Sequence, residues 1–354
     1  MLQLTLLTLA TAVSASGIPG ISSIENLITF GDSYTDEGRL QWFVDHDGSA
    51  PPVGTLIPTS NRTASGGYTW PHFASQRLNS TTYNYAVSGA VCSNELINRY
   101  LASINAAYPS VIDYEIPAFL ADVENSSSTT GGDALYPNRQ ADNTLYTLWI
   151  GTNDLGGGGY LMDKQLAGTT ISDYIDCIWN VFDGLYGAGA RHFVLFNQAP
   201  LDKSPLYAAQ EHGGIGNSNY WANKTAYNTT EIEQKMLEYT TTVNTIYAYG
   251  APFQLLIQSR WPGSSVTIFD VHRLLSDIIA DPTAYLDAPA NATGYYYHCP
   301  YPTGACTDSE YPLSSFLWYD QLHPSEKADE IIADEFVNLL SGDSPYGIYY
   351  DSSA

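Results

Sequence analysis

The alternation of short apolar runs with amphipathic helical patterns constrains the fold of this chain more than any other feature. Because strands that alternate with helices pair in parallel, this order predicts a parallel sheet. The runs around 148 and 194 are apolar on both alternating faces, as in strands covered by helices on both sides. We therefore predict an α/β fold, a three-layer α/β/α sandwich around a five-stranded parallel sheet. The five runs lie at 27–30, 83–87, 145–150, 192–196 and 266–269.

Two helical patterns support this arrangement. Apolar residues recur at intervals of three and four from Ile171 to Leu185, and glycines follow where a helix ends. A second such pattern begins at Pro324 and Ser325 and continues to Leu340. In these sheets ligands bind at the carboxyl ends of the strands. The loops expected to build a substrate cleft there are rich in Gly, Pro, Ser, Asn and Tyr and span 45–68, 125–142, 200–228 and 281–316.

The first fifteen residues read as a secretory signal peptide. Residues 1–15 are uncharged, rich in Leu, Thr and Ala, and end in small residues at a cleavage site after Ala15. No positive charge precedes the apolar run, so a buried N-terminal helix is the alternative. The remainder, 16–354, shows no repeat and no linker, which predicts a single domain. We accordingly expect a secreted, extracellular protein.

Charge excludes some partners. The chain has 13 Lys and Arg against 37 Asp and Glu, a net charge of −24, which repels polyanions and argues against nucleic acid. No stretch after the first is long enough to span a bilayer, so we expect no stable membrane association, and we expect a monomer. Six glycosylation sequons fit a secreted glycoprotein, at Asn61, Asn79, Asn125, Asn223, Asn228 and Asn291.

The four cysteines favour disulfides over a metal site. Their spacing contains no C-x-x-C, and an exported chain meets oxidising conditions. Cys299 and Cys306 are expected to close one small loop. Pairing of Cys92 with Cys177 is a hypothesis. Asp45-His46-Asp47 is read as a solvated turn, so we expect no metal and no cofactor.

Four short motifs lie where the predicted fold places functional residues. They are GDS at 31–33, VSGA at 87–90, GTND at 151–154 and DQLH at 320–323. The first three follow successive strands, and the fourth precedes the last helix, so all fall on one edge of the sheet. Taken singly, Gly89 suits a tight turn, Asn153 a helix cap and His323 a surface histidine. Their joint occurrence in this order favours catalysis.

Together these motifs resemble the conserved blocks of the GDSL/SGNH hydrolases. The resemblance extends from residue 27 through the last helix, and it implies the flavodoxin-like sheet predicted above. The wording ITFGDSYTD at 28–36 and NYAVSGA at 84–90 is similar to that of fungal secreted acetylesterases of carbohydrate esterase family 16.

The chemistry of these residue types fits that family. A serine hydroxyl is a weak nucleophile and needs a base, which His323 supplies to Ser33. Asp320, three residues before the histidine, orients the ring and stabilises the imidazolium. The Ser33 and Gly89 N–H groups and the Asn153 amide are the predicted oxyanion hole.

The substrate follows from the narrower resemblance, which implies acetyl groups on plant cell-wall saccharides. Aromatic residues at 295–301 and 318–319, next to the predicted acid and base, suggest stacking on sugar rings, or else packing over the core. A lipase or general short-chain acylesterase is the alternative within the same chemistry. A secreted carbohydrate-binding protein without catalysis is the alternative of another class.

Overall fold

The computed structural model describes residues 17–18, 20–21, 23–127 and 135–352. The predicted signal peptide, residues 1–15, lies outside the described residues. No helix within these ranges is both long and apolar enough to cross a membrane.

A six-stranded sheet forms the centre of the molecule. Its order is β2-β1-β3-β4-β5-β6, and the first five strands in this row are mutually parallel, as in flavodoxin-like folds. The predicted α/β sandwich with five parallel strands is confirmed. The strands are β1 Asn26–Gly31, β2 Thr81–Asn84, β3 Thr144–Trp149, β4 His192–Phe196, β5 Ser265–Phe269 and β6 Gly347–Asp351.

The prediction differs from the structure at the two edges of this sheet. Strand β6 pairs antiparallel with β5 and was not predicted, because its residues are half-buried or exposed and show no apolar run. At the other edge β2 ends earlier than expected. The chain beyond it nevertheless stays extended, since the N–H groups of Tyr85 and Val87 donate to carbonyls of Thr29 and Gly31.

Helices cover both faces of the sheet. Successive strand residues point to opposite faces, and on β4 Phe193 packs against Phe182 while Phe196 packs against Trp70 and Phe336. The helices are α1 Arg39–Asp45, α2 Trp70–Leu78, α3 Ile116–Ser127, α4 Thr152–Leu155, α5 Ile171–Gly187, α6 Thr229–Pro252, α7 Val271–Ala280 and α8 Glu326–Ser341. Phe182 belongs to α5, Trp70 to α2 and Phe336 to α8, so the three layers meet in one apolar core.

The two long predicted helices begin and end as their sequences indicate. Helix α5 starts in a capping box made by Thr170 and Asp173, and α8 starts where the Ser325 hydroxyl accepts the N–H of Ala328. A left-handed Gly342 ends α8.

Smaller elements lie in the loops. Two π-helical turns, Val111–Glu115 and Phe253–Ile257, adjoin α3 and α6. Short strand pairs join Tyr100–Leu101 to Ala106–Ala107, Asn291–Tyr295 to Phe316–Trp318, and Tyr297–His298 to Thr307–Asp308. Single 3-10 turns occur at Tyr160–Met162, Leu201–Lys203, Gln210–His212, Lys224–Ala226, Pro282–Ala284 and Leu313–Ser315.

Both cysteine pairs form disulfides. Cys92–Cys177 joins the loop after β2 to α5, and Cys299–Cys306 closes a short loop before β6. Five of the six sequon asparagines are exposed, and the sixth, Asn291, is half-buried with its side-chain oxygen accepting two backbone N–H groups.

Candidate active site

The structure brings Ser33, His323 and Asp320 into one hydrogen-bonded chain. Ser33 follows β1, and its Oγ lies 2.8 Å from Nε2 of His323. The other ring nitrogen, Nδ1, lies 3.0 Å from each carboxylate oxygen of Asp320. With Nδ1–H donating to the carboxylate, Nε2 is left as the acceptor for the serine hydroxyl proton.

The Asp320–His323 turn is built largely by its own backbone. Oδ1 of Asp320 accepts the N–H groups of Leu322 and His323, both at 2.8 Å, which fixes the carboxylate on the turn. The hydroxyl of Tyr34, the residue after Ser33, donates to the carbonyl of Leu322 at 2.8 Å. The loop that carries Ser33 and the turn that carries Asp320 and His323 are therefore joined directly.

Burial and charge act in opposite directions on the histidine. Burial lowers the pKa of His323, but the charge and hydrogen bond of Asp320, with the charge of Asp32, raise it to a net value above its usual range. Burial also raises the pKa of Asp320, yet His323 and the backbone N–H donors hold it below the ordinary value. Asp320 therefore stays ionised and favours the protonated imidazolium.

Three potential oxyanion donors line the same cavity: the N–H groups of Ser33 and Gly89 and the side-chain amide of Asn153. Within the described ranges neither N–H is used in another hydrogen bond. Gly89 has φ +86°, and a Cβ there would lie 2.3 Å from the Tyr108 ring, so no larger residue fits. The Asn153 amide donates to the Ala90 carbonyl at 2.9 Å, which aligns it beside the Gly89 turn.

Two buried carboxylates support these loops from below. Asp32 accepts the N–H of Tyr34 at 3.1 Å, and its second oxygen lies 3.4 Å from the Asn153 amide. Asp154 instead accepts the N–H of Cys92 at 2.9 Å, in the neighbouring loop. Burial raises the pKa of Asp32 to about 6 and that of Asp154 to about 7.

Arg99 is a site residue that the sequence did not identify. Its Nη1 donates to the Gly89 carbonyl at 2.7 Å, and its guanidinium lies 4.9 Å from the centre of the Tyr108 ring. Arg99 also lines the cavity and lowers the pKa of both Asp32 and Asp154 through its charge. No motif marks it, because the arginine lies in an irregular loop between β2 and the first π-helical turn.

The cavity over Ser33 has a volume of about 480 Å³. Two of the four predicted insertions reach it, 45–68 through Ala64 and 200–228 through several residues, whereas neither 281–316 nor the described part of 125–142 does. Gly156, Gly157 and Gly158, shortly after Asn153 in sequence, also line the cavity. The other lining residues from loop 200–228 are Leu206, Tyr207, Asn219, Tyr220 and Trp221.

The aromatic residues at 295–301 and 318–319, for which stacking on sugar rings and packing over the core were both open, do not line the cavity. Trp318 is fully buried, and its indole N–H donates to the Ala292 carbonyl in the core at 3.1 Å. Tyr319 stacks on Tyr297, 5.3 Å between ring centres, and neither lines the cavity. The alternative interpretation, packing over the core, applies to these rings. The aromatic lining comes instead from Tyr108, Tyr207, Tyr220 and Trp221.

The remaining sequence candidate lies apart from this site. His46 follows α1, where its ring stacks on Trp42 at 4.1 Å and its Nδ1 contacts the Trp42 carbonyl at 2.8 Å. It therefore packs against its own helix, as expected for a turn residue.

A flavodoxin-like sheet with a serine after its first strand, hydrogen-bonded to a histidine before its last helix, defines a class of α/β/α hydrolases. Residues 27–336 match the family of GDSL-like lipases/acylhydrolases, and the chain belongs to that family. The resemblance inferred from the motifs is thus confirmed.

The relatives include an acetylesterase from Hypocrea jecorina, 48% identical over 325 residues that cover 92% of this chain and 91% of the relative. An acetylesterase from Thermothelomyces thermophilus is 30% identical over 186 residues, covering 52% and 56% of the two chains. Among solved structures, an acetylxylan esterase from Geobacillus stearothermophilus matches with a TM-score of 0.43 and 14% identity, covering 91% of this chain and 96% of that one. The family and the first relative identify this chain as an ester-hydrolysing enzyme.

Proposed function

We propose that this protein is a secreted serine esterase that removes acetyl groups from plant cell-wall oligosaccharides, with Ser33, His323 and Asp320 as its catalytic triad. The observation that carries the proposal is the contact of 2.8 Å between Ser33 Oγ and His323 Nε2. The 48% identity to an acetylesterase supports the acetyl group as the acyl part.

The reaction proceeds through an acyl-enzyme. Ser33 Oγ attacks the ester carbonyl carbon while His323 Nε2 takes the hydroxyl proton, and Asp320 stabilises the imidazolium. The tetrahedral intermediate collapses when His323 returns the proton to the leaving alcohol oxygen. Water then attacks the acyl-enzyme with His323 again as the base, and acetic acid leaves as the serine is restored.

Developing negative charge on the carbonyl oxygen needs donors fixed in advance. The Ser33 N–H, the Gly89 N–H and the Asn153 amide are assigned this role, since all three line the cavity at the nucleophile. Arg99 holds the Gly89 turn by donating to the Gly89 carbonyl, and the Ala90 carbonyl holds the Asn153 amide. The donors therefore need little reorganisation during the reaction.

The cavity lining favours a saccharide ester over a long acyl chain. The lining includes the polar side chains of Arg99, Asn219 and Ser88 as well as the rings of Tyr108 and Trp221. Sugar hydroxyls bind such polar groups, and sugar faces pack on aromatic rings, whereas a lipase needs a continuous apolar groove. Leucine and alanine supply only part of the lining.

Export and a single mature domain complete the proposal. Residues 1–15 are the signal peptide and 16–354 the mature domain, which acts outside the cell. Two disulfides and the net charge of −24 suit that environment. The mature protein is proposed to be monomeric.

The test compares acetyl, butyryl and octanoyl nitrophenyl esters with acetylated xylo-oligosaccharides, for the wild type and for Ser33→Ala. We expect acetyl preference, acetate release from the oligosaccharides and loss of both activities in the variant. Octanoyl preference with inert saccharides would identify a lipase-like acylhydrolase. Saccharide binding without serine-dependent hydrolysis would identify a binding protein.

Trp221→Ala tests whether the cavity recognises the saccharide part of the ester. Trp221 lines the cavity, whereas Tyr311 is exposed and lies outside the lining. We expect Trp221→Ala to raise KM for acetylated oligosaccharides more than for nitrophenyl acetate, and the control Tyr311→Ala to change neither. Equal KM changes for both substrates would remove the ring from saccharide recognition.

A further inference from the structure

Loop 200–228 contacts the Asp320–His323 turn at two points. The N–H of Leu206 donates to the Gln321 carbonyl at 2.7 Å. The hydroxyl of Tyr220 donates to Oδ2 of Asp320 at 2.8 Å. An insertion that lines the cavity is thus bonded to the proposed acid–base turn itself.

The backbone that carries Tyr220 is a tight turn. Ser218 and Trp221 exchange backbone hydrogen bonds, at 3.0 Å from the Ser218 N–H and 3.2 Å from the Trp221 N–H, so Asn219 and Tyr220 form the tip. Ser218 and Trp221 are both buried, which anchors the turn. Lys224, also buried, donates through Nζ to the Ala208 carbonyl at 3.2 Å and closes the loop behind it.

The side chain of Tyr220 spans from solvent to the site. Its surface is 52% exposed overall, yet its hydroxyl reaches the buried carboxylate, and its ring centre lies 5.7 Å from the His323 ring centre. Tyr220 also lines the cavity. The residue therefore contacts the acid and the base of the proposed triad together.

We propose that Tyr220 is a positioning residue of this esterase: its hydroxyl holds the second oxygen of Asp320, so that loop 200–228 completes the orientation of the triad. This inference rests on the proposed function, because it assigns Tyr220 a role through Asp320 and His323. It gives an insertion outside the four sequence motifs a part in the chemistry.

The two oxygens of Asp320 are held differently. Oδ1 accepts two backbone N–H groups of its own turn as well as Nδ1 of His323. Oδ2 accepts Nδ1 of His323 and, from outside the turn, the hydroxyl of Tyr220. Without the Tyr220 hydroxyl, His323 would be the remaining described partner of Oδ2. The carboxylate could then turn so that Oδ2 moves while Oδ1 stays bound to the backbone N–H groups.

The hydroxyl also withdraws negative charge from the carboxylate that stabilises the imidazolium. Removing it should strengthen the pull of Asp320 on the proton and raise the pKa of His323 further. Among the described residues, the other groups that face His323 are Asp32, whose charge raises the same pKa, the hydroxyl of Ser33 and the ring of Tyr34. None of these changes in a Tyr220→Phe variant.

The experiment compares Tyr220→Phe with Tyr346→Phe, which removes a tyrosine–aspartate hydrogen bond of the same kind, 3.0 Å to Asp277, far from the cavity. Because a hydrogen bond to a charged group is worth roughly 10- to 100-fold in an equilibrium, we expect kcat of Tyr220→Phe to fall about tenfold. KM should stay within about twofold, since the ring remains. The acid limb of the kcat/KM profile should move to higher pH by about half a unit.

A second readout does not depend on turnover. The His323 ring signals in NMR should titrate at higher pH in Tyr220→Phe than in the wild type, and Tyr346→Phe should match the wild type in both measurements. Tyr220→Phe with an unchanged kcat, profile and His323 titration would overturn the inference while Ser33→Ala and His323→Ala remain inactive. Full activity in those two variants would instead overturn the proposed function.

Discussion

Two tight turns meet over Ser33, and they are stabilised in different ways. In the turn of Asp320 to His323, the carboxylate binds N–H groups two and three residues further on, and nearly every atom is buried. In the turn of Ser218 to Trp221, the tip is half exposed, and its contacts with the site cross 100 residues of sequence. Local hydrogen bonds therefore supply most of the contacts that hold Asp320 and His323, whereas contacts between distant parts of the chain place the Ser218–Trp221 turn at the cavity.

The largest losses of kcat should come from substitutions of Ser33 and His323. We expect Ser33→Ala and His323→Ala each to reduce kcat by about 10⁴-fold or more, because nucleophile and base act as a unit. The double variant should lose little more than either alone. Circular dichroism and thermal melting should show an intact fold. Substantial ester hydrolysis by either purified variant would contradict the triad.

Loss of Asn153, one of the three proposed oxyanion donors, should reduce kcat less than loss of Ser33 or His323. Asn153→Ala should reduce kcat by about 10²- to 10³-fold with a small change in KM, because the amide serves the transition state more than the bound ester. Kinetics on nitrophenyl acetate measures this. A change confined to KM would place Asn153 in substrate binding and leave the oxyanion to the two N–H groups.

Substitution of Arg99 in the cavity wall should reduce kcat still less. Arg99→Met keeps much of the side-chain volume beside Tyr108 but removes the hydrogen bond to the Gly89 carbonyl. We expect kcat to fall about tenfold as that loop loosens, a loss comparable to that of one charged hydrogen bond. Arg62→Met, at an exposed position outside the cavity lining, is the matched control and should behave like the wild type. A normal kcat in Arg99→Met would show that the loop holds Gly89 without the arginine.

Buried acids of this protein should make its stability depend on pH. Burial raises the pKa of Asp32 to about 6, that of Asp154 to about 7 and that of Glu37 to about 8. Raised folded-state values contribute stability that is complete below the unfolded values near 4 and is lost as pH rises through 6 to 8. The raised pKa of His323 acts in the same direction, whereas the lowered pKa values of Asp320, His72 and His192 oppose it, because their contribution to stability is lost as pH falls.

We therefore expect Tm to fall by at least ~3 °C between pH 5 and pH 8.5, as differential scanning calorimetry would measure. Glu37→Gln should flatten the upper part of this decline, because the amide cannot ionise while it can still accept from Asn84. A Tm that rises between pH 5 and pH 8.5 would show that ionisation of these carboxyl groups does not destabilise the folded state.

The contrast between local and long-range contacts also explains which elements could be predicted from the sequence. The strands that carry Ser33 and Asn153 are continuous apolar runs, and the turn from Asp320 to His323 is a short motif, so periodicity and spacing predicted them. Strand β6 has no such run and forms only because the edge of β5 is available. Trp318 adjoins Asp320 in sequence, but it lies on a strand that turns its ring into the core.

Arg99 and Tyr220 were not predicted for a related reason. Arg99 acts on a backbone carbonyl ten residues away, and Tyr220 on a carboxylate that only the folded loop brings near. Neither contact leaves a pattern of residue types. The pairing of Cys92 with Cys177, 85 residues apart, is likewise set by the packing of α5 beside the loop after β2.

The separation of 290 residues between Ser33 and His323 has a consequence for biosynthesis. A ribosome adds about 5 to 20 residues per second, so the proposed base is translated roughly 15 to 60 s after the nucleophile. During that interval the nascent chain carries a serine without its partner and cannot complete the proposed cycle. The proposed activity can therefore arise only near the end of synthesis, when the turn from Asp320 to His323 reaches Ser33.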